Sequence, residues 1–169
     1  MRTTMITGAL AVVATTALMG GTATAQEPTT TRERGIVIEC TGTLGAREVW
    51  TSIYENNTVK NVVQVVVGDD GLGSSRESAQ AFKVGRDVRA TLRLSGKRVV
   101  IDGTARVVGK KTAVHEEHDD AGQHIIVDGT HRRLANDLTL TWKGTTVPLD
   151  CENAFVYDLQ VSKESTVED

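Results

Sequence analysis

From Gly35 onward, apolar and polar residues alternate with a period of two almost everywhere, and no stretch sustains the spacing of an amphipathic helix. The alternation predicts strands over residues 35–43, 48–55, 58–68, 86–94, 97–108, 111–119, 123–131, 136–142, 145–151 and 154–162. The one irregular stretch, Asp69 to Gln80, is rich in Gly and Ser and predicts a long loop. Residues 26–34 are polar and aperiodic, which predicts a flexible lead-in, and residues 163–169 read as a polar tail. The pattern describes one all-β domain over residues 35–162.

An internal repeat sharpens this reading. The segment from Ser95 to Arg106 aligns without gaps to the segment from Ala121 to Arg132, with Gly, Asp, Gly, Thr and Arg identical and three β-branched positions preserved. A weaker third copy runs from Thr139 through Lys143-Gly144 to Asp150. Each copy is a strand, a tight turn containing Gly and a returning strand, which is a β-hairpin. With Ser95-Gly96 as a two-residue turn, Leu92 faces Val99 and Ala90 faces Ile101 on one side. Arg93 then faces Arg98, and Arg89 faces Asp102, on the other. With Lys143-Gly144 as the turn, Leu140 meets Val147 and Leu138 meets Leu149. A slip of one residue would mix the two faces, so the register is well specified.

Successive hairpins with one apolar face make a meander, and closing a meander on itself removes its edges. The expected fold is a small antiparallel up-and-down β-barrel of 8–10 strands built from repeated hairpins, with a two-sheet β-sandwich as the alternative. Avidins and lipocalins share that barrel architecture. The chain lacks the Gly-x-Trp start of the lipocalins and is poor in aromatics, so the likeness is one of fold alone and implies no function.

The first 25 residues stand apart from this pattern. Arg2 is followed by an apolar stretch (Ile6, Leu10 to Ala14, Ala17 to Met19) that ends at Ala23-Thr24-Ala25, a small-x-small pattern. Residues 1–25 therefore read as a secretory signal peptide, and the stretch is too short and interrupted for a membrane span. The expected location is secreted and extracellular. The two cysteines, Cys40 and Cys151, fit an oxidising compartment and are expected to form a disulfide.

Composition is ordinary, with 39% hydrophobic and 24% charged residues, which excludes fibrous and disordered classes. The net charge of -3 hides an uneven distribution. Residues 76–111 carry ten basic residues against three acidic ones, and residues 112–169 carry four against twelve. Arg89, Arg93 and Arg98 fall on one outward face and are candidates for binding an anion or polysaccharide; neighbouring acidic strands could equally neutralise them. Nucleic acid is not an expected partner, because no aromatic platform accompanies the arginines.

All four histidines lie between His115 and His131. His115-Glu116-Glu117-His118 does not match the zinc-protease motif, whose imidazoles are four residues apart on a helix. Carrying the hairpin register over by 26 positions puts His118 in the place of core-facing Leu92 and Glu116 in that of Ala90. Two readings follow. Glu116 and His118 form an acid–base pair at the barrel mouth, or the hairpin projects beyond the core and both faces are wet. Five consecutive polar residues, Glu116 to Asp120, favour the second. His115, Glu117 and His124 share the other face and are weak candidates for a metal site. No cofactor is expected.

The leading functional expectation is a secreted, non-enzymatic binding or inhibitory protein acting on an unknown small molecule or extracellular protein. A small barrel enzyme of cyclase, isomerase or hydrolase type, using Glu116 and His118, is the alternative. A third reading is an envelope-associated protein acting through surface strands. The run Val62 to Val67 within strand 58–68 is apolar on both faces and suggests a homodimer through that strand.

Overall fold

The structure is a computed structural model that describes residues 28–68 and 71–165. The segment 1–25, read as a signal peptide, lies outside these residues, as does the end of the polar tail at 166–169. Among the described residues there are ten strands: β1 (Thr29–Leu44), β2 (Arg47–Asn56), β3 (Asn61–Val67), β4 (Leu72–Ser78), β5 (Lys83–Val84), β6 (Asp87–Leu94), β7 (Lys97–Val107), β8 (Thr112–Asp120), β9 (Gln123–Trp142) and β10 (Thr145–Ser165). They form one antiparallel sheet in the order β4-β3-β2-β1-β10-β9-β7-β6-β5, with β8 paired to β9 alone. The sheet curls into a half-barrel, so the two-sheet sandwich is not what forms.

All three repeat hairpins turn where the sequence places them. Ser95-Gly96, Ala121-Gly122 and Lys143-Gly144 each carry positive φ at both positions (49° and 73°, 48° and 75°, 51° and 81°). This is the type I′ turn, whose twist matches that of the flanking strands. The pairs Leu92–Val99, Arg93–Arg98, Leu140–Val147 and His115–Asp128 are all observed. The repeated Gly103 and Gly129 are equivalent in space as well. A Cβ at Gly103 would lie 2.1 Å from the Asp137 carbonyl oxygen, and one at Gly129 would lie 2.3 Å from that of Asp158. The identity of glycine across the repeat therefore reflects the same close strand approach.

The core is the concave face of the sheet. Ile38, Val63, Val65, Val67, Ala90, Val99, Ile101, Ala105 and Leu140 are fully buried, and Phe82 and Trp142 complete the filling. Cys40 and Cys151 are bonded and join β1 to β10. The bond sits where β10 carries one extra residue against β1, between Glu39 and Thr41. A bulge of this kind bends its strand locally.

Four expectations need correction. Residues 123–131 and 136–142 are one strand of 20 residues, and residues 145–151 and 154–162 belong to one of 21. The polar lead-in 26–34 is not all flexible: Thr29–Arg34 pairs with Asp158–Lys163, and the first residues of the tail, Lys163 to Ser165, pair with β9. Asp69 to Gln80 is not a long loop, because Leu72–Ser78 is strand β4, paired along its length with β3. These segments lack apolar alternation; a neighbouring ladder recruits their backbone, and their side chains stay wet.

The faces of the β8–β9 hairpin also differ from the expected ones. Pairing along β9 is continuous from Gln123 to Trp142, so residues of equal parity share a face. Core-facing Leu134, Leu138, Leu140 and Trp142 are even-numbered, whereas Glu116 and His118 pair with Val127 and Ile125. The register transfer is right within the hairpin and wrong about its side. The long strands carry β8 and the first half of β9 past the core as an arm, instead of stacking them over it.

Candidate functional site

The half-barrel does not close by a ladder. At the seam, β4 lies beside β6 without backbone pairing, and side chains bridge the gap. One Nη of Arg76 on β4 donates to the Thr91 carbonyl oxygen and to Thr91 Oγ1 (2.8 Å) on β6. The Arg76 guanidinium also lies 5.8 Å from the centre of the Phe82 ring. Phe82 is buried between β4 and β5, and the Glu55 carboxylate holds it there by accepting the backbone N–H groups of Phe82 and Lys83, both at 2.6 Å. Burial raises the Glu55 pKa above the usual carboxylate value, opposed by those two N–H donors.

Above this plug is an open groove of about 480 Å³ lined by Ser74, Ser75, Arg76, Thr91, Leu92, Arg93 and Arg98. Arg93 and Arg98 are directly opposite across the β6–β7 hairpin. Among the described residues, neither they nor Arg76 form an ion pair; one Nη of Arg93 donates to the Gly96 carbonyl oxygen at 3.0 Å. Arg89, the third arginine of the predicted patch, is elsewhere. It is 3.8 Å from Asp102 and does not line the groove. Arg76 was hidden in the sequence because it falls within the segment that reads as a loop.

A second groove, of about 840 Å³, runs past Thr41, Thr43, Glu48, Trp50, Val66, Pro148 and Asp150 at the far end of β1 and β2. Trp50 is 37% exposed there. The β3 strand offers no free edge for a second copy, since β2 and β4 occupy both of its sides. Its outward residues are half-buried Val62 and Val66 and exposed Gln64.

The arm collects the histidines but does not bury them. Glu116 and His118 are exposed, as the alternative reading of that hairpin requires. They do not form a buried acid–base pair, because the arm extends beyond the packed interior. His115 Nδ1 lies 2.7 Å from Asp128 and its Nε2 lies 3.2 Å from Glu117; His124 Nδ1 lies 2.8 Å from Asp119. His115, Glu117 and His124 are thus engaged in imidazole–carboxylate pairs, and among the described residues no group of three or more His, Cys, Asp or Glu is arranged to hold a metal ion.

The hydrogen bond that the protonated ring donates to Asp128 raises the His115 pKa, and the one donated to Asp119 raises the His124 pKa. A raised imidazole pKa gives stability that is present below the unfolded value of about 6.5 and is lost as pH rises through the folded value. Both imidazoles should titrate by NMR with midpoints above 6.5, and amide protection in β8 should fall as pH rises through those midpoints. Midpoints at or below 6.5 would show that the pairs do not form in solution.

Asn56-Asn57-Thr58 matches the Asn-x-Thr glycosylation pattern, but its polar groups are taken up by local structure. Asn56 is buried; its Nδ2 donates to Glu33 and Tyr54, and its Oδ1 accepts from the Thr58 backbone and hydroxyl.

No family model matches this chain, and no curated protein matches it. A solved structure from Nitrosomonas europaea, provisionally described as AttH, is similar over 82% of this chain and 53% of its own, with 12% identity and a TM-score of 0.33. The chain spans about half the length of that protein, and a likeness of this size carries neither fold nor function across.

Proposed function

We propose that this chain is a secreted, non-enzymatic binding or inhibitory module that engages its small-molecule or protein ligand from the outer surface of the half-barrel. The observation that carries this reading is the filled interior. Ile38, Ile53, Val63, Val65, Ile101 and Leu140 occupy the space where a cup-shaped barrel would hold a ligand, and the two large grooves open outward. The Cys40–Cys151 bond supports an extracellular location, since such bonds persist in oxidising compartments. The enzyme reading has no comparable support, because Glu116 and His118 are solvated and lie away from both grooves.

Fragment screening by NMR on the isotope-labelled, oxidised chain tests the proposal. Shift perturbations are expected at groove residues such as Trp50, Arg93 and Arg98. Perturbations centred on Ile38 and Leu140, or a turnover abolished by Glu116→Gln or His118→Ala, would overturn it.

A further inference from the structure

At one position the three repeat hairpins differ in how they pair across the strands. In the second hairpin the pair at the corresponding position beside the turn is Asp119 opposite His124, in contact at 2.8 Å. In the third it is Thr141 opposite Thr146, whose hydroxyls are hydrogen-bonded at 2.8 Å. In the first it is Arg93 opposite Arg98. Two copies satisfy this cross-strand pair internally, and the remaining copy sets like charges face to face, an arrangement that destabilises a sheet. This is also the hairpin whose pair lines a groove.

The neighbouring position behaves differently. Arg89 opposite Asp102 in the first hairpin corresponds to His115 opposite Asp128 in the second, and in both a carboxylate faces a basic side chain. Among the described residues, Arg89 is the member of the basic segment 76–111 held in an ion pair, and Arg93 and Arg98 are set apart by facing each other directly at the groove. Across the seam, Arg76 brings a third guanidinium, and Ser74, Ser75 and Thr91 line the same groove.

We propose that the β4–β6 seam is an oxyanion site for a small molecule carrying two adjacent phosphoryl or sulfuryl groups, held between Arg93, Arg98 and Arg76. This deepens the surface-binding reading and rests on it. Guanidinium groups present planar forks that match the oxygens of such groups bidentately. Opposed strand residues have Cβ atoms roughly 5 Å apart, so two flexible arginines can share one anion or take adjacent ones. The hydroxyls supply further donors, and Leu92 adds an apolar contact to the lining. Bound anion removes the Arg93–Arg98 repulsion, so binding and local sheet stability are coupled.

Titration of the full oxidised chain with inorganic pyrophosphate, and separately with inorganic sulfate, tests the site at constant ionic strength set by sodium chloride. Saturable shifts are expected in the Arg76, Arg93 and Arg98 side-chain resonances, with pyrophosphate bound at least tenfold more tightly than sulfate. Arg98→Gln should weaken pyrophosphate binding at least tenfold, whereas Arg89→Gln, on the same face but paired with Asp102, should change it less than twofold. Without anion at low salt, Arg98→Gln should melt no lower than the unsubstituted chain, because it removes a like-charge contact; a variant that failed to fold would contradict this and overturn the proposal.

Equal losses in Arg89→Gln and Arg98→Gln, or shifts that never saturate, would reduce the site to a diffuse cationic face. No response to either anion, with fragments still perturbing Trp50, would remove this site and leave the surface-binding reading standing. Fragment perturbations confined to the interior would remove both.

Discussion

Reducing the Cys40–Cys151 disulfide, or replacing both cysteines with serine, is expected to lower folding stability by about 4 to 5 kcal/mol. The bond joins residues separated by 111 positions, so it closes most of the described chain into a loop and removes a large share of the unfolded chain's freedom. Domains of this size have total stabilities of only about 5 to 15 kcal/mol, so the loss is a large fraction. Its structural position compounds the effect: β1 and β10 are central neighbours in the sheet, and the bond lies at the bulge that bends β10. Urea denaturation of the oxidised, reduced and doubly substituted chains provides the measurement. Matching midpoints for the oxidised and reduced chains would show that strand pairing alone closes the fold.

Phe82→Ala is the second large effect, expected at about 3 to 5 kcal/mol. Phe82 is 4% exposed and belongs to no strand, yet it fills the end of the half-barrel beneath the seam. Its backbone is tied on both sides, with its N–H on Glu55 and its carbonyl accepting from Arg89 N–H at 2.8 Å. Those ties hold the segment in place when the ring is removed, so collapse into the void is restricted and the cavity cost persists. The ring also supports Arg76, and its loss should raise hydrogen exchange in β4 and β6 more than in the β9–β10 hairpin. A loss under 1 kcal/mol, or exchange that rises uniformly, would mean that the seam closes without this plug.

The parts of the fold legible in the sequence were those with local signals. The three turns were readable because a two-residue turn with Gly second, flanked by apolar residues at matching distances, leaves one register that keeps the faces separate. The disulfide was readable from cysteine number and compartment. Strand β4 was not, because Gly73, Ser74, Ser75, Arg76 and Glu77 bear no alternating pattern, and their pairing comes from the unsatisfied edge of β3. The apolar pattern of the long strands β9 and β10 breaks near Arg132 and Cys151, where the arm leaves the core, so each resembles two strands in the sequence.

The same division runs through the candidate sites. Arg93 facing Arg98 followed from the hairpin register alone, and so did His115 facing Asp128. Which of these residues line a groove did not. That depended on β4 arriving beside β6 with Arg76 and on Asp102 claiming Arg89, both consequences of how the sheet curls. Glu116 and His118 show the limit in the other direction: their pairing partners were legible, but their burial was set by the arm projecting past the core.

By itself, then, the sequence determined the strand chemistry, the three type I′ hairpins, the paired cysteines and the segregation of charge, because each of these is written in residues close together or in simple counts. Tertiary structure alone decided the curl of the sheet, the seam, the plug at Phe82 and the side of the sheet on which each histidine lies. Those depend on strand twist summed over ten strands and on where the core runs out, and neither quantity is local to any stretch of chain.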